Sequence, residues 1–421
     1  MLGFLCYLLL EFNIQTMIKK ITLLPLALFF LNGIIAQSTS TFSQEKLLEF
    51  NSYIQKEIDA KHIAGAEILI VQNDIVEWHE SIGESNTETH ESLAKNSIYY
   101  IQSMTKPIIS VAIMQLVEKG LLGLDDAVYK YIPEVKSLKI TTDTSLGLNG
   151  PTKPKKNTMT LRHLLSHTAG LTHGLGSNKF DQELFKLLYN ETLNYKGHPN
   201  LESRINVLMN TPLIGEPGEQ WVYSTGPDLL ALILQRVSKQ SVPEYLKEHI
   251  FTPLGMNDTG YNLNEQQAKR VMQLHNQNEA GGMELSPLQV PTQGNTVYGG
   301  THGLFSSTKD YLTFCQMILH KGTWNGSRVL SEETIALMSE NHVKEFLGPS
   351  RGFGLGFGII RNSEIDPSPG STGQLNWGGY FRTHFFIDQS LNLIALFMTQ
   401  KMPANEDYSG ALNQYVYAAL K

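Results

Sequence analysis

A chain of 421 residues, 41% hydrophobic and 17% charged, is large enough for a sizeable core, built as one big domain or two interlocked ones. That composition is ordinary for a soluble globular protein. The formal net charge is −7 and no block of Lys or Arg stands out, so nucleic acid and anionic membrane surfaces are not expected partners.

At the N-terminus, Lys19 and Lys20 precede an apolar stretch from Ile21 to Ile35, then Ala36 and a polar Gln-Ser-Thr-Ser segment. A charged, an apolar and a small-residue part in that order make a secretory signal over residues 1–36, and the apolar part is short for a membrane span. Met17 stands just before this unit, so residues 1–16 can lie upstream of the true start. A retained anchor is the rival reading, because Leu2 to Phe12 is also apolar. The expected location is therefore periplasmic or secreted, with the mature domain spanning 37–421. Of two cysteines, Cys6 falls in the leader, and Cys315 sits among Phe314, Met317 and Ile318 as a small buried hydrophobe.

Next, Ser43 caps a predicted helix with Leu47, Phe50, Ile54 and Ile58 on one face. A hairpin follows, Ala66 to Val71 and Ile75 to Ile82, turning at Asn73-Asp74. A second helix runs from about Ser103 to Lys119 and stops at Gly120. Residues 126–275 are mostly helical, split by loops such as Asn149 to Asn157. Strands return at Phe353 to Ile360, Thr383 to Asp388 and Leu391 to Met398, and a helix from Tyr408 to Leu420 closes the chain. Strands at both ends with helices between predict an α/β (α+β) fold, in which the terminal segments share an antiparallel sheet and a helical region is inserted. A cleft between two such parts suits a substrate.

The motif S-x-x-K marks one class of activated serine. A serine hydroxyl is a weak nucleophile until a base takes its proton, and a lysine one turn later on a helix can reach it. Burial and the positive helix end both disfavour the ammonium form. The pattern occurs four times, at Ser43, Ser92, Ser103 and Ser306. Lys46 should face water; Ser92 lies in a polar stretch; near Ser306, Ser307 and Asp310 read as a capping box. Only Ser103 follows a strand-like Ile98 to Ile101 and opens a helix rich in Ile and Val, which would bury Lys106. Taken alone, Ser103 reads first as an N-cap, the more common fate of such a serine.

Further motifs change the balance. Ser103-Met104-Thr105-Lys106 is joined by Gly120 to Asp126, Tyr131-Ile132-Pro133, Thr160 to Leu171, Pro217-Gly218 with Trp221 to Ser224, Gly303 to Thr308, and Trp377-Gly378-Gly379 with Thr383, Phe385 and Asp388. In that order they resemble the serine β-lactamase/penicillin-binding-protein superfamily, over residues 43–420, and within it the esterases related to class C β-lactamases. The resemblance implies a serine hydrolase working through an acyl-enzyme on a small ester or amide, with no cofactor or metal. It implies Ser103 as nucleophile, Lys106 as base, and Tyr223 as the group that passes a proton to the leaving group. A phenol ionises near 10, so a cation such as Lys106 would have to lower it before Tyr223 could act as a base. The Ser103 backbone N–H and that of Tyr380, from an edge strand, would form the oxyanion hole. Trp377, Gly378, Gly379 and Thr225 would contact substrate.

Two departures narrow the expectation. Thr225 replaces the β-lactamase asparagine, and Trp377-Gly378-Gly379 replaces a Lys-Thr-Gly triad. Without that lysine a β-lactam carboxylate loses its partner, whereas tryptophan suits a neutral acyl group, so an esterase is expected before a lactamase or D-amino-acid peptidase. A non-catalytic binding protein on the same fold is the rival of another class. His163, His167 and His173 lack the glutamate of a zinc protease motif and are read as structural. Gly348-Pro349-Ser350-Arg351-Gly352 matches G-x-S-x-G but lacks a preceding strand and is read as a loop.

Overall fold

The computed structural model describes residues 41–189, 197–403 and 407–421. The export segment expected at 1–36 lies outside the described residues. Residues 42–421 form one compact unit.

Helix α1 (Gln44–Asp59) is capped by Ser43, whose hydroxyl accepts from the Lys46 N–H. It leads into strands β1 (Gly65–Gln72) and β2 (Ile75–Asn86), which turn at Asn73 and Asp74, both at positive φ. Two short strands follow, β3 (Glu91–Ser92) and β4 (Ile98–Tyr100). Helix α2 (Thr105–Glu118) is buried on all sides from Thr105 to Leu116. It ends where Gly120 takes φ +67°, a conformation glycine adopts without steric cost.

The central region carries α3 (Leu161–Leu165), α4 (Lys179–Leu188), α5 (Leu201–Met209) and α6 (Gly226–Ser238). It is not helical throughout. Thr152–Pro154, within a predicted loop, pairs antiparallel with Lys139–Thr141 as a two-stranded ribbon. Strand β5 (Phe305–Ser307) pairs with β4 and runs into α7 (Thr308–Leu319), capped by Ser307. Only half of the expected capping box forms there: the Ser307 hydroxyl accepts from the Asp310 N–H.

The C-terminal part supplies β6 (Arg351–Phe353), β7 (Gly358–Ile360), β8 (Leu375–Gly378), β9 (His384–Asp388) and β10 (Leu393–Met398), then α8 (Tyr408–Ala419). The predicted strand from Phe353 to Ile360 is thus a hairpin, β6 and β7, because the chain reverses between Phe353 and Gly358. Eight strands make one antiparallel sheet in the order β6-β7-β8-β9-β10-β1-β2-β3. The two ends of the chain meet at its centre, where β1 pairs with β10 from Glu67 opposite Met398 to Gln72 opposite Leu393.

Alternation along these strands sorts two cores. Ala66, Ile68 and Ile70 of β1 and Leu393, Ala395 and Phe397 of β10 pack with α1 and α8. Leu69 and Val71, with Ile394, Leu396 and Met398, join the larger core that holds α2 and α6. The larger core carries the site.

Candidate active site

Strand β4 becomes helix α2 through a single turn of 3-10 helix over Gln102–Met104, with Gln102 at φ +47°. A side chain in that left-handed region is strained, and such strain persists where the surroundings fix it. Ser103 caps nothing here: the helix cap is Met104, with no side-chain hydrogen bond. The serine instead lines a cavity of about 450 Å³.

Lys106, on the first turn of α2, brings Nζ to 3.0 Å from Ser103 Oγ and donates to the Thr301 carbonyl at 2.7 Å. Its side chain is buried, and desolvation holds the amine well below the ordinary lysine value, with Asp228 opposing the shift and Arg204 adding to it. Tyr223 donates its phenol to Ser103 Oγ at 2.7 Å. Lys106 Nζ lies 4.6 Å from the centre of the same ring.

The expected lowering of the Tyr223 phenol does not occur. Burial pushes it up, and the Ser103 hydrogen bond opposes this only in part. The physical reason is desolvation: the phenol is buried, which penalises the phenolate more than its hydrogen-bonding neighbours favour it. His167 and His173 clamp the tyrosine ring, with centroids 4.9 and 5.2 Å away. Burial holds both imidazoles well below their ordinary range, so they are neutral near pH 7. His167 Nδ1 pairs with Ser224 Oγ, His173 Nδ1 with the Tyr189 hydroxyl, and His163 Nδ1 accepts from the Thr160 N–H at the start of α3.

Strand β8 delivers Trp377, Gly378, Gly379 and Tyr380 to the same cavity. The strand is internal in the sheet, not an edge. However, β7 pairs only with Leu375 and Asn376, which leaves Trp377 and Gly378 paired on the β9 side alone. A Cβ on Gly379 would lie 2.6 Å from the Ile101 carbonyl and 2.2 Å from Thr383 Oγ1, so glycine there lets the strand end run against the Ser103 turn. The Trp377 ring stands 5.3 Å from that of Tyr223.

Thr225 is a correction. It is fully buried at the N-cap of α6, its hydroxyl donates to the Thr172 carbonyl, and it does not line the cavity. The other S-x-x-K matches are elsewhere: Lys46 pairs with Glu49 on the surface, Ser92 is exposed in β3, and Ser306 is buried in β5 against Thr259. Ser350 lies in a bend that leads into β6. Cys315 is buried in α7, where desolvation raises its thiol far above the reactive range.

Three residues that the motifs did not flag stand behind the amine: Thr301, Asp228 and Arg204. One signal for them exists in the sequence. Arg204 occupies the apolar stripe of Leu201, Ile205 and Leu208 on α5, where a charge needs a buried partner.

With this geometry in view, comparison with known proteins is decisive for the family. The model of the family described as Beta-lactamase matches residues 50–419. The chain belongs to the Beta-lactamase family. Among similar proteins, Protein Rv1367c of Mycobacterium tuberculosis is 28% identical over 83% of this chain and 89% of its own. Esterase EstB of Burkholderia gladioli is 25% identical over 85% of this chain and 92% of its own. Of solved structures, that of EstCE1, described as a hydrolase with promiscuous acyltransferase activity, superposes with a TM-score of 0.77. It is 22% identical and covers 89% of this chain and 99% of its own, which fixes the β-lactamase-like fold.

Proposed function

We propose that this family member is an exported serine esterase that forms an acyl-enzyme on Ser103. One observation carries the reading: Ser103 Oγ sits between Lys106 Nζ at 3.0 Å and the Tyr223 hydroxyl at 2.7 Å, at the wall of a largely apolar cavity. With the amine neutral, the serine hydroxyl donates to it, the phenol donates to the serine, and the amine keeps an N–H for Thr301.

As Oγ attacks an ester carbonyl, its proton passes to Lys106. The oxyanion settles against the N–H groups of Ser103 and Tyr380, where pre-aimed donors stabilise charge that appears only in the transition state. Tyr223 protonates the departing alkoxide and is recharged from the Lys106 ammonium. Water then repeats the cycle in reverse. Among the described residues no Asp, Glu, Lys or Arg lines the cavity, and Trp377 stands in its wall where the β-lactamase resemblance would have a lysine to meet a carboxylate. This supports neutral acyl and aryl esters over β-lactams and peptide carboxylates. Likeness to EstCE1 supports a second outcome, in which an alcohol replaces water and acyl transfer results.

Intact mass after fluorophosphonate treatment tests the reading. The parent should gain one adduct and Ser103→Ala none, and p-nitrophenyl butyrate should be hydrolysed in preference to nitrocefin. An unlabelled parent, or a Ser103→Ala protein with parental turnover, overturns it.

A further inference from the structure

Behind the Lys106 amine lies an ion pair that the reaction as described does not use. Arg204 on α5 and Asp228 on the first turn of α6 are both fully buried, and Arg204 Nε donates to Asp228 Oδ2 at 2.7 Å. Arg204 also donates to the Leu188 carbonyl at 2.7 Å and lies 4.9 Å from the Tyr189 ring, which lines the cavity. The second carboxylate oxygen, Oδ1, accepts from the Thr301 N–H at 2.8 Å. On its other side, the Thr301 residue presents the carbonyl that receives Lys106 Nζ at 2.7 Å. The chain of contacts runs without a break from guanidinium to carboxylate to peptide to amine to serine.

Thr301 has little freedom to sit elsewhere. A Cβ on Gly300 would stand 2.1 Å from the Pro227 carbonyl, so residue 300 is pressed against the first turn of α6. That same helix start fixes the catalytic phenol, since Tyr223 lies two residues before its N-cap, Thr225. A buried ion pair is a poor way to gain stability, because desolvating both charges offsets most of their attraction and apolar residues of equal volume do as well. Its presence calls for another role, and the second carboxylate oxygen accepts from the peptide whose carbonyl receives the Lys106 amine.

We propose that the Arg204–Asp228 pair is a positioning device for Lys106: Asp228 fixes the Thr301 peptide, and the Thr301 carbonyl fixes the amine against Ser103. The proposal rests on the esterase reading of Ser103 and Lys106. Electrostatics agree with it. Asp228 favours the ammonium form and Arg204 disfavours it, so the two charges together hold the amine in place without trapping a proton on it. The other groups that face the amine are Ser103 on its own turn, Tyr223 before α6, His167 and His173 after α3, and His302 beside Thr301; the three imidazoles are held neutral by burial.

The test is direct titration of the amine by NMR with lysine labelled at 13Cε, alongside ester kinetics, in the parent, Asp228→Asn and Arg204→Gln. The Lys106 midpoint should fall in Asp228→Asn and rise in Arg204→Gln, and the acid limb of kcat/KM should move with it. In both, kcat should drop by about tenfold or more while KM stays within about threefold. Folded variants with the parental midpoint and kcat overturn the positioning role. Should both fail to fold, the charge-retaining Arg204→Lys and Asp228→Glu carry the test: lowered kcat at parental KM supports it, and parental kcat in both overturns it. Because NMR reads the amine whether or not any ester turns over, a parent without turnover whose midpoint still moves in opposite directions overturns the esterase reading alone.

Discussion

Burial of one amine governs how the site should respond to pH. In the proposed reaction Lys106 acts in its neutral form and Tyr223 as a proton donor, and the amine's value in the folded protein lies well below 10.5 because desolvation penalises the ammonium. Activity should therefore be lost as pH falls through that lowered value and be full above it. Tyr223 acts as the phenol, which burial preserves to above its ordinary range. The kcat/KM profile for p-nitrophenyl butyrate should accordingly rise in acid and stay flat through neutral and mildly alkaline pH. A rate still climbing at pH 9 would mean an ordinary lysine. Tyr223→Phe keeps the ring between His167 and His173 but removes the proton donor; kcat should fall about 10²- to 10⁴-fold at a nearly constant melting temperature. At this scale the sequence was readable where a motif fixes the spacing, as for Ser103 and Lys106. It misled for Thr225, because spacing from Tyr223 says nothing of which way a helix cap turns its hydroxyl. The sign of the Tyr223 shift depended on how deeply the phenol is buried, which no motif states.

Among elements, the meeting of β8 with the 102–104 turn matters most. Gly379 brings that strand end within reach of Ile101, and both proposed oxyanion donors depend on the approach. In Gly379→Ala the new Cβ must push against the Ile101 carbonyl, so the strand withdraws from Ser103. Overpacking of this kind costs about 1–3 kcal/mol of stability, and loss of an oxyanion donor costs about 10²- to 10³-fold in kcat. Urea unfolding and ester kinetics on the same sample would separate the two effects; a stable variant with parental kcat would remove β8 from the chemistry. Periodicity revealed α1 by its single apolar face, and α2, β1 and β10 by their largely apolar composition. It did not reveal the Lys139–Thr141 ribbon or the break between β6 and β7, since short strands next to glycines and polar residues carry almost no pattern.

Over the whole molecule, the sheet divides labour between its faces. The face under α2, α6 and α7 holds Ser103 and its partners, while among the described residues the opposite face packs against α1 and α8. The Ser43 N–H donates to the Ala419 carbonyl at 2.7 Å, tying the start of α1 to the end of α8. That terminal strands pair with each other was legible, because apolar β segments sat at both ends of the sequence with helices between. Their separation into a face that carries the candidate site and one that does not was not, since alternation within a strand does not tell which side borders a cavity. Phe50 offers a clean test of this division. It is fully buried in the outer core and stacks on Tyr415 with ring centroids 4.8 Å apart. Phe50→Ala should cost about 3–5 kcal/mol, the usual loss for truncating a buried aromatic. Below its melting transition, however, the variant should keep parental kcat and KM, because β1 and β10 stand between the lost ring and Ser103. Chemical denaturation would read the first effect and steady-state ester hydrolysis the second. A folded Phe50→Ala protein with impaired kcat would show instead that the outer face sets the geometry of the site through the sheet.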